Sequence, residues 1–138
     1  MPKYWINTVS KDHVLRGVAG GFTQANHGKP HMLRKMEQGD WLIFYSPKTH
    51  IKAGEPVQAF TAIGQITDTE TYQATVSPDF HPARRNVKFY DAKETSIRPL
   101  IPELEFIEDE RYWGFKFRFG VFEINEHDFQ LLKNKMLS

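Results

Sequence analysis

The chain has 138 residues, room for one domain around one core, and its 40% hydrophobic and 25% charged content excludes a disordered tail protein. It has no cysteine, which removes disulfide frameworks, thiolate metal sites and thiol nucleophiles together and fits a reducing compartment. A formal charge of +1 supplies no global attraction to nucleic acid, so such a partner would have to be held locally.

Lys3 to Val9 is rich in Tyr, Trp, Ile and Val and is predicted to form a first strand. Ser10 then caps a short helix through His13-Val14-Leu15, with Asp12 near its positive end, and Gly20-Gly21 stop it. Phe22 to Lys29 is polar and flanked by glycine. A second helix is expected from Pro30, carrying Leu33 and Met36 inward and ending at Gly39. Asp40 to Ser46 is too apolar for a half-exposed strand and reads as a central one, with Pro47-Lys48-Thr49 breaking it into a loop.

Val57 to Thr67 and Thr71 to Val76 read as a hairpin around Asp68-Thr69-Glu70, and Asn86 to Tyr90 as a further strand. Pro99 and Pro102 bracket a turn. In Arg111 to Ile124, Trp113, Phe115, Phe117 and Phe119 share one parity and Lys116 and Arg118 the other, which predicts a long strand broken near Gly120. Asn125 caps a terminal helix whose Phe129, Leu132 and Met136 form a narrow apolar stripe. Strands interleaved with two to four short helices predict one α+β domain over 1–138, a mixed curled sheet or small barrel with helices over its openings. No apolar run reaches about 18 residues, and the start leads straight into a strand, so neither a membrane span nor a signal peptide is expected and the expected location is the cytoplasm.

The chemistry of enzymes is hard to find in this chain. Ser46 lies in no nucleophile elbow, and Gly17, Gly20 and Gly21 match no phosphate loop or dinucleotide fingerprint. His27 and His31 have a helical metal-ligand spacing, but Gly28 and Pro30 between them break it and no third ligand follows. No catalytic residue, metal or cofactor is therefore assigned, and a binding module is expected rather than an enzyme.

Aromatic content of 14%, with eleven Phe, leaves rings to line a pocket as well as a core. Three segments set rings beside polar groups: Trp5 and Asn7 on the first strand; Phe22, Gln24 and Asn26 in the following loop; Tyr45, Ser46 and Pro47 at the end of the central strand. Rings stack on planar ligands, amides and hydroxyls read a base edge, and Lys29, Lys48, Arg84 and Arg85 could hold phosphate. Plainer readings stand beside these. Trp5 and Phe22 also suit a core, Gln24 and Asn26 a loop, and Arg84-Arg85 an exposed pair. The basic runs Lys29 to Lys52 and His81 to Arg98, against acidic Glu103 to Glu110, fit either two charged faces or scattered solvating charge.

Across nearly its whole length the chain resembles the EVE domain family. The resemblance rests on Tyr4-Trp5-Ile6, Gly17 to Phe22, Gln24 with His27-Gly28-Lys29, Gly39-Asp40-Trp41, Tyr45-Ser46-Pro47 and Gln58 to Gly64. It continues through Arg84-Arg85, Ile97 to Leu100, Trp113-Gly114 and Phe122-Glu123-Ile124. It implies a PUA-like fold, a small mixed β-barrel with flanking helices, in a superfamily whose YTH readers hold methylated adenine in an aromatic-lined pocket. EVE domains are similarly thought to recognise modified bases. The implied partner is DNA or RNA carrying a modified base, with any effector a separate protein, no membrane, and a monomer or weak dimer. A binder of a free nucleotide-like or anionic metabolite is the alternative. Carried over, the resemblance puts Trp5, Asn7, Phe22, Gln24, Asn26, Tyr45, Ser46 and Pro47 around the base and Lys29 with Arg84 or Arg85 toward phosphate.

Overall fold

The strand expected from Asp40 to Ser46 organises the molecule. In a computed structural model that describes residues 2–24 and 31–138, it runs as β3 (Trp41–Lys48), parallel to β1 (Tyr4–Thr8) on one side and antiparallel to β4 (Pro56–Ile66) on the other. Side chains alternate across β3, so Leu42 and Phe44 enter one apolar cluster and Ile43 and Tyr45 a second on the opposite face. Helix α1 (Lys11–Gly20) contributes Val14 to the first cluster. Helix α2 (Glu126–Met136) contributes Phe129, Leu132 and Met136 to the second. Each half of the core is thus a sheet face covered by one helix.

Among the described residues, six of the eight strands follow the order β2 (Phe22–Thr23), β6 (Ala83–Phe89), β4, β3, β1, β8 (Val121–Ile124), and the other two lie off this path. The outer edge of β4 is divided: Gly64 to Ile66 pair with β6, whereas Ala59 and Phe60 pair with β7 (Thr95–Ser96). One strand serving two partners curls the sheet into a half-barrel of the PUA-like α+β type. No helix among the described residues is long and apolar enough to cross a membrane.

Ser10 stands at the N-cap of α1 as expected, but its hydroxyl donates to Asp12 Oδ1 at 2.6 Å and caps no backbone amide. Gly21 ends α1 at φ 72°, and Asn125 caps α2 by accepting from the Asp128 amide at 2.9 Å. The segment expected to be a second helix supplies only a 3₁₀ turn at Leu33–Lys35, with Leu33 and Met36 buried as expected. Pro30 lies outside the described residues.

Three further expectations need correction. Pro47 does not stop β3, because the β3–β4 register shifts between Ser46 and Lys48 and a proline is tolerated at such an irregularity. β5 (Tyr72–Gln73) forms no hairpin with β4 but pairs with β6, since β6 already occupies that end of the β4 edge. The long strand expected over Arg111 to Ile124 is mostly 3₁₀ turns, Glu110–Tyr112 and Phe115–Phe119, with only Val121–Ile124 in the sheet. Gly120 at φ 78° closes the second turn. Phe117 turns inward and stacks on Tyr45, ring centroids 3.8 Å apart and planes 13° from parallel.

Candidate functional site

A cavity of about 590 Å³ lies between the sheet, α1 and the Phe117–Gly120 turn. Its floor follows from strand parity: Asn7 projects from β1 toward the α1 face, in the same direction as Trp5. Asn7 is buried, and its Nδ2 donates to Thr23 Oγ1 and to the Gln24 carbonyl, both at 3.0 Å. These bonds pin the chain as it leaves β2. Gly17 lets α1 approach β2 closely, for a Cβ there would lie 2.6 Å from the Phe22 carbonyl oxygen.

From β6, Arg84 reaches back to the same place. Its guanidinium carbon sits 3.7 Å from the Phe22 ring centroid, and Nε donates to Gln24 Oε1 at 2.7 Å. Among the described residues, Asn7 Oδ1 and Gln24 Nε2 have no hydrogen-bond partner, which leaves one amide acceptor and one amide donor at the wall. Thr8, next along β1, also lines the cavity, and its buried hydroxyl has no hydrogen-bond partner among the described residues.

The wall is cationic. Arg16, Arg84 and Arg118 line it beside the His13 imidazole, and no carboxylate does among the described residues. Asp12 lies just behind. Burial pushes its carboxyl up, but the Ser10 hydroxyl at 2.6 Å, the His13 amide and the charges of His13 and His50 outweigh this and hold it below the usual carboxylate range. Apolar surface comes from Phe44 and Phe117 inside and from Ile51, Val76 and Phe80, which are exposed. Mostly apolar walls with a few placed polar groups are the make-up of a small-ligand site.

Asn7, Phe22, Gln24 and Arg84 are thus brought together around one cavity. Other candidates are placed elsewhere. Trp5 is buried in the core and its Nε1 donates to Asp40 Oδ2 at 2.9 Å. Tyr45 lies on the opposite core face, where burial pushes its phenol up to about 12 against a smaller opposing pull from Arg98. Ser46 is fully buried and hydrogen-bonds Thr61 at 2.8 Å. Pro47 is half-buried and Lys48 exposed at the end of β3, and neither lines the cavity. Arg85 points away from Arg84 into the protein, where it pairs with Asp68 at 2.6 Å and donates to the Leu33 and Met36 carbonyls. Asn26 and Lys29 lie outside the described residues.

His13, Arg16 and Arg118 are cavity residues that reading the sequence missed. The first two had a signal, since His13, Arg16 and Gly17 stand at i, i+3 and i+4 on one face of α1. Arg118 had none, because its segment read as a strand.

A curled mixed sheet with a ring-lined, cationic cavity under its first helix defines a small PUA-like domain. The family model described as "EVE domain" matches residues 3–135, and the chain belongs to that family. A UPF0310 protein of Mycolicibacterium vanbaalenii is 66% identical, covering 97% of this chain and 92% of the relative. The UPF0310 protein in the gntR 5′ region of Bacillus licheniformis is 48% identical, over 93% and 87%. Among solved structures, a hypothetical protein from Leishmania major superposes with a TM-score of 0.64 at 13% identity, covering 97% of this chain and 94% of that one. The Mmi1 YTH domain gives 0.62 at 9% identity, over 96% and 74%. At such identities the two structures speak to fold alone.

Proposed function

We propose that this protein is a non-catalytic binding module that takes one nucleobase of DNA or RNA, carrying a modification, into the cavity between β1, α1 and β6. The observation that carries the reading is the convergence of Asn7, Gln24 and Arg84 on one cavity with a cationic wall. Asn7 Oδ1 and Gln24 Nε2, without a partner among the described residues, suit a base edge, Arg84 over Phe22 offers a cation against which a base can stack, and Arg16 and Arg118 suit the flanking phosphates. The shared fold of EVE and YTH domains supports the same class of ligand.

A base enters such a cavity only from a single strand or by flipping out of a duplex. Flipping costs a few kcal/mol, and stacking at ~1–3 kcal/mol per base offsets much of it. The test is a titration with matched oligonucleotides, DNA and RNA, with unmodified, methylated-cytosine and methylated-adenine versions, alongside the free nucleosides. Preference for one modified base, reduced in folded Arg84→Ala and Gln24→Ala proteins, is the expected result. Equal affinity for the free nucleoside would favour a small-molecule binder, and no binding to any probe would defeat the proposal.

A further inference from the structure

The turn that replaces the expected strand leaves two large rings in solvent. Phe115 and Phe119 are each 54% exposed and meet edge to face, ring centroids 5.6 Å apart, while Phe117 between them is buried against Tyr45. Lys116 and Arg118 alternate with these rings. Neither has a carboxylate partner among the described residues, and the sequence carries no acid from Arg111 through Phe122.

This surface is fastened to the cavity. Thr8 donates its amide to the Gly120 carbonyl at 2.8 Å, tying the turn to β1, and Phe117, Arg118 and Gly120 themselves form part of the cavity wall. We infer that Phe115 and Phe119, with Lys116 and Arg118, form a platform for single-stranded nucleic acid, on which bases flanking the one in the cavity stack while the two cations meet phosphates. The inference rests on the proposed function for the direction of the strand, not for the platform's chemistry. Exposed rings interleaved with unpaired cations are the make-up of surfaces that track a single strand without reading its sequence. A protein partner would explain the apolar area, but not the cations continuing into a cavity wall that already holds Arg16 and Arg84.

The experiment is fluorescence anisotropy on the full chain with unmodified single-stranded DNA and RNA of about nine nucleotides, within the span that single-strand grooves cover. Nucleoside monophosphates, unmodified and methylated, are titrated in parallel. The double variant Phe115→Ser, Phe119→Ser, folded by circular dichroism, should bind the oligonucleotides at least about tenfold more weakly with monophosphate binding unchanged. Phe115→Tyr, Phe119→Tyr should restore affinity, and Lys116→Gln, Arg118→Gln should flatten the salt dependence.

Wild-type affinity in the serine variant, or no oligonucleotide binding by the wild type, overturns the platform. Monophosphate binding that survives while oligonucleotide affinity ignores Phe115 and Phe119 leaves the cavity reading standing alone. Phe-dependent oligonucleotide binding with no monophosphate bound does the reverse. Wild-type self-association that the serine variant abolishes, with oligonucleotide binding intact, assigns the surface to a second copy of the chain and also overturns it.

Discussion

The Arg84 guanidinium covers Phe22 at 3.7 Å, so the ring that faces the cavity from β2 already has a cation against it. Gln24 fixes that cation from the side. One strand position away, Arg85 points the other way, and β6 thereby divides two adjacent arginines between a site and a core.

Replacing each arginine by alanine should separate these roles. Arg84→Ala removes a half-exposed cation–π contact and one side-chain hydrogen bond, so stability should change by about 1 kcal/mol or less while ligand affinity falls. Arg85→Ala strips the partner from Asp68 and the donors from the Leu33 and Met36 carbonyls, with Arg85 only 1% exposed, and should cost about 3–5 kcal/mol. Urea unfolding measures both. An Arg85→Ala protein within about 1 kcal/mol of wild type would show that the buried pair anchors nothing.

Gly17→Ala tests how closely α1 is seated on β2. The added methyl meets the Phe22 carbonyl oxygen at 2.6 Å, so the helix or the strand must shift. A loss of about 1–3 kcal/mol is expected, typical of overpacking. Since Gly17 also lines the cavity, ligand affinity should change in the same variant. An unchanged melting temperature would mean that the helix moves at little cost.

Much of this could be read from residues whose neighbours are near in sequence. The apolar run of β3 and the Asn125 cap carry their own local chemistry, and both form as expected. The Trp113 to Phe119 alternation misled because period-two spacing says nothing of the Tyr45 ring, which lies far off in the chain and takes Phe117 from any strand. Trp113 itself packs against the core with Arg98 over its ring at 4.9 Å, and is not a cavity residue. The β5 pairing depended on Gly64, where β6 comes so close that a Cβ would lie 2.6 Å from the Lys88 carbonyl oxygen. Strand parity could have separated Arg84 from Arg85, but Asp68 and the carbonyls of Leu33 and Met36 are long-range partners without a sequence signature. Trp5 and Tyr45 look alike as aromatic candidates until Asp40 and Phe117 are seen to engage them.

Tyr45 predicts an alkaline limit to stability. Burial, the larger influence, raises its phenol to about 12, whereas in the unfolded chain it ionises near 10. Between those values the unfolded state gives up the proton first and binds fewer protons than the folded state, so stability falls as pH rises from about 10 toward 12. Tyr45→Phe should remove that part of the slope. Ultraviolet titration of the folded protein should show a late phase near 12 that Tyr45→Phe removes, with burial raising Tyr72 as well, and the absence of that late phase would refute the assignment.

His127 acts in the same direction near neutrality. Its Nδ1 donates to Asp128 Oδ1 at 2.9 Å, and this bond, ahead of the more distant Glu105 and Glu103 charges, raises the imidazole above its ordinary 6.5. Asp128 is held rigidly for the purpose, fully buried, accepting also from the Glu105 and Phe106 amides at 2.8 and 2.9 Å. A raised folded-state value means that the folded protein holds the proton more tightly. The contribution is complete below about 6.5 and is lost as pH rises through the folded value. A proton-NMR titration should therefore place the His127 midpoint above 6.5, and Glu105→Gln, which leaves the Asp128 bond in place, should lower it only slightly. A midpoint at or below 6.5 would mean that the imidazole does not engage Asp128 in solution, and His127→Gln would then leave the pH dependence of stability unaltered.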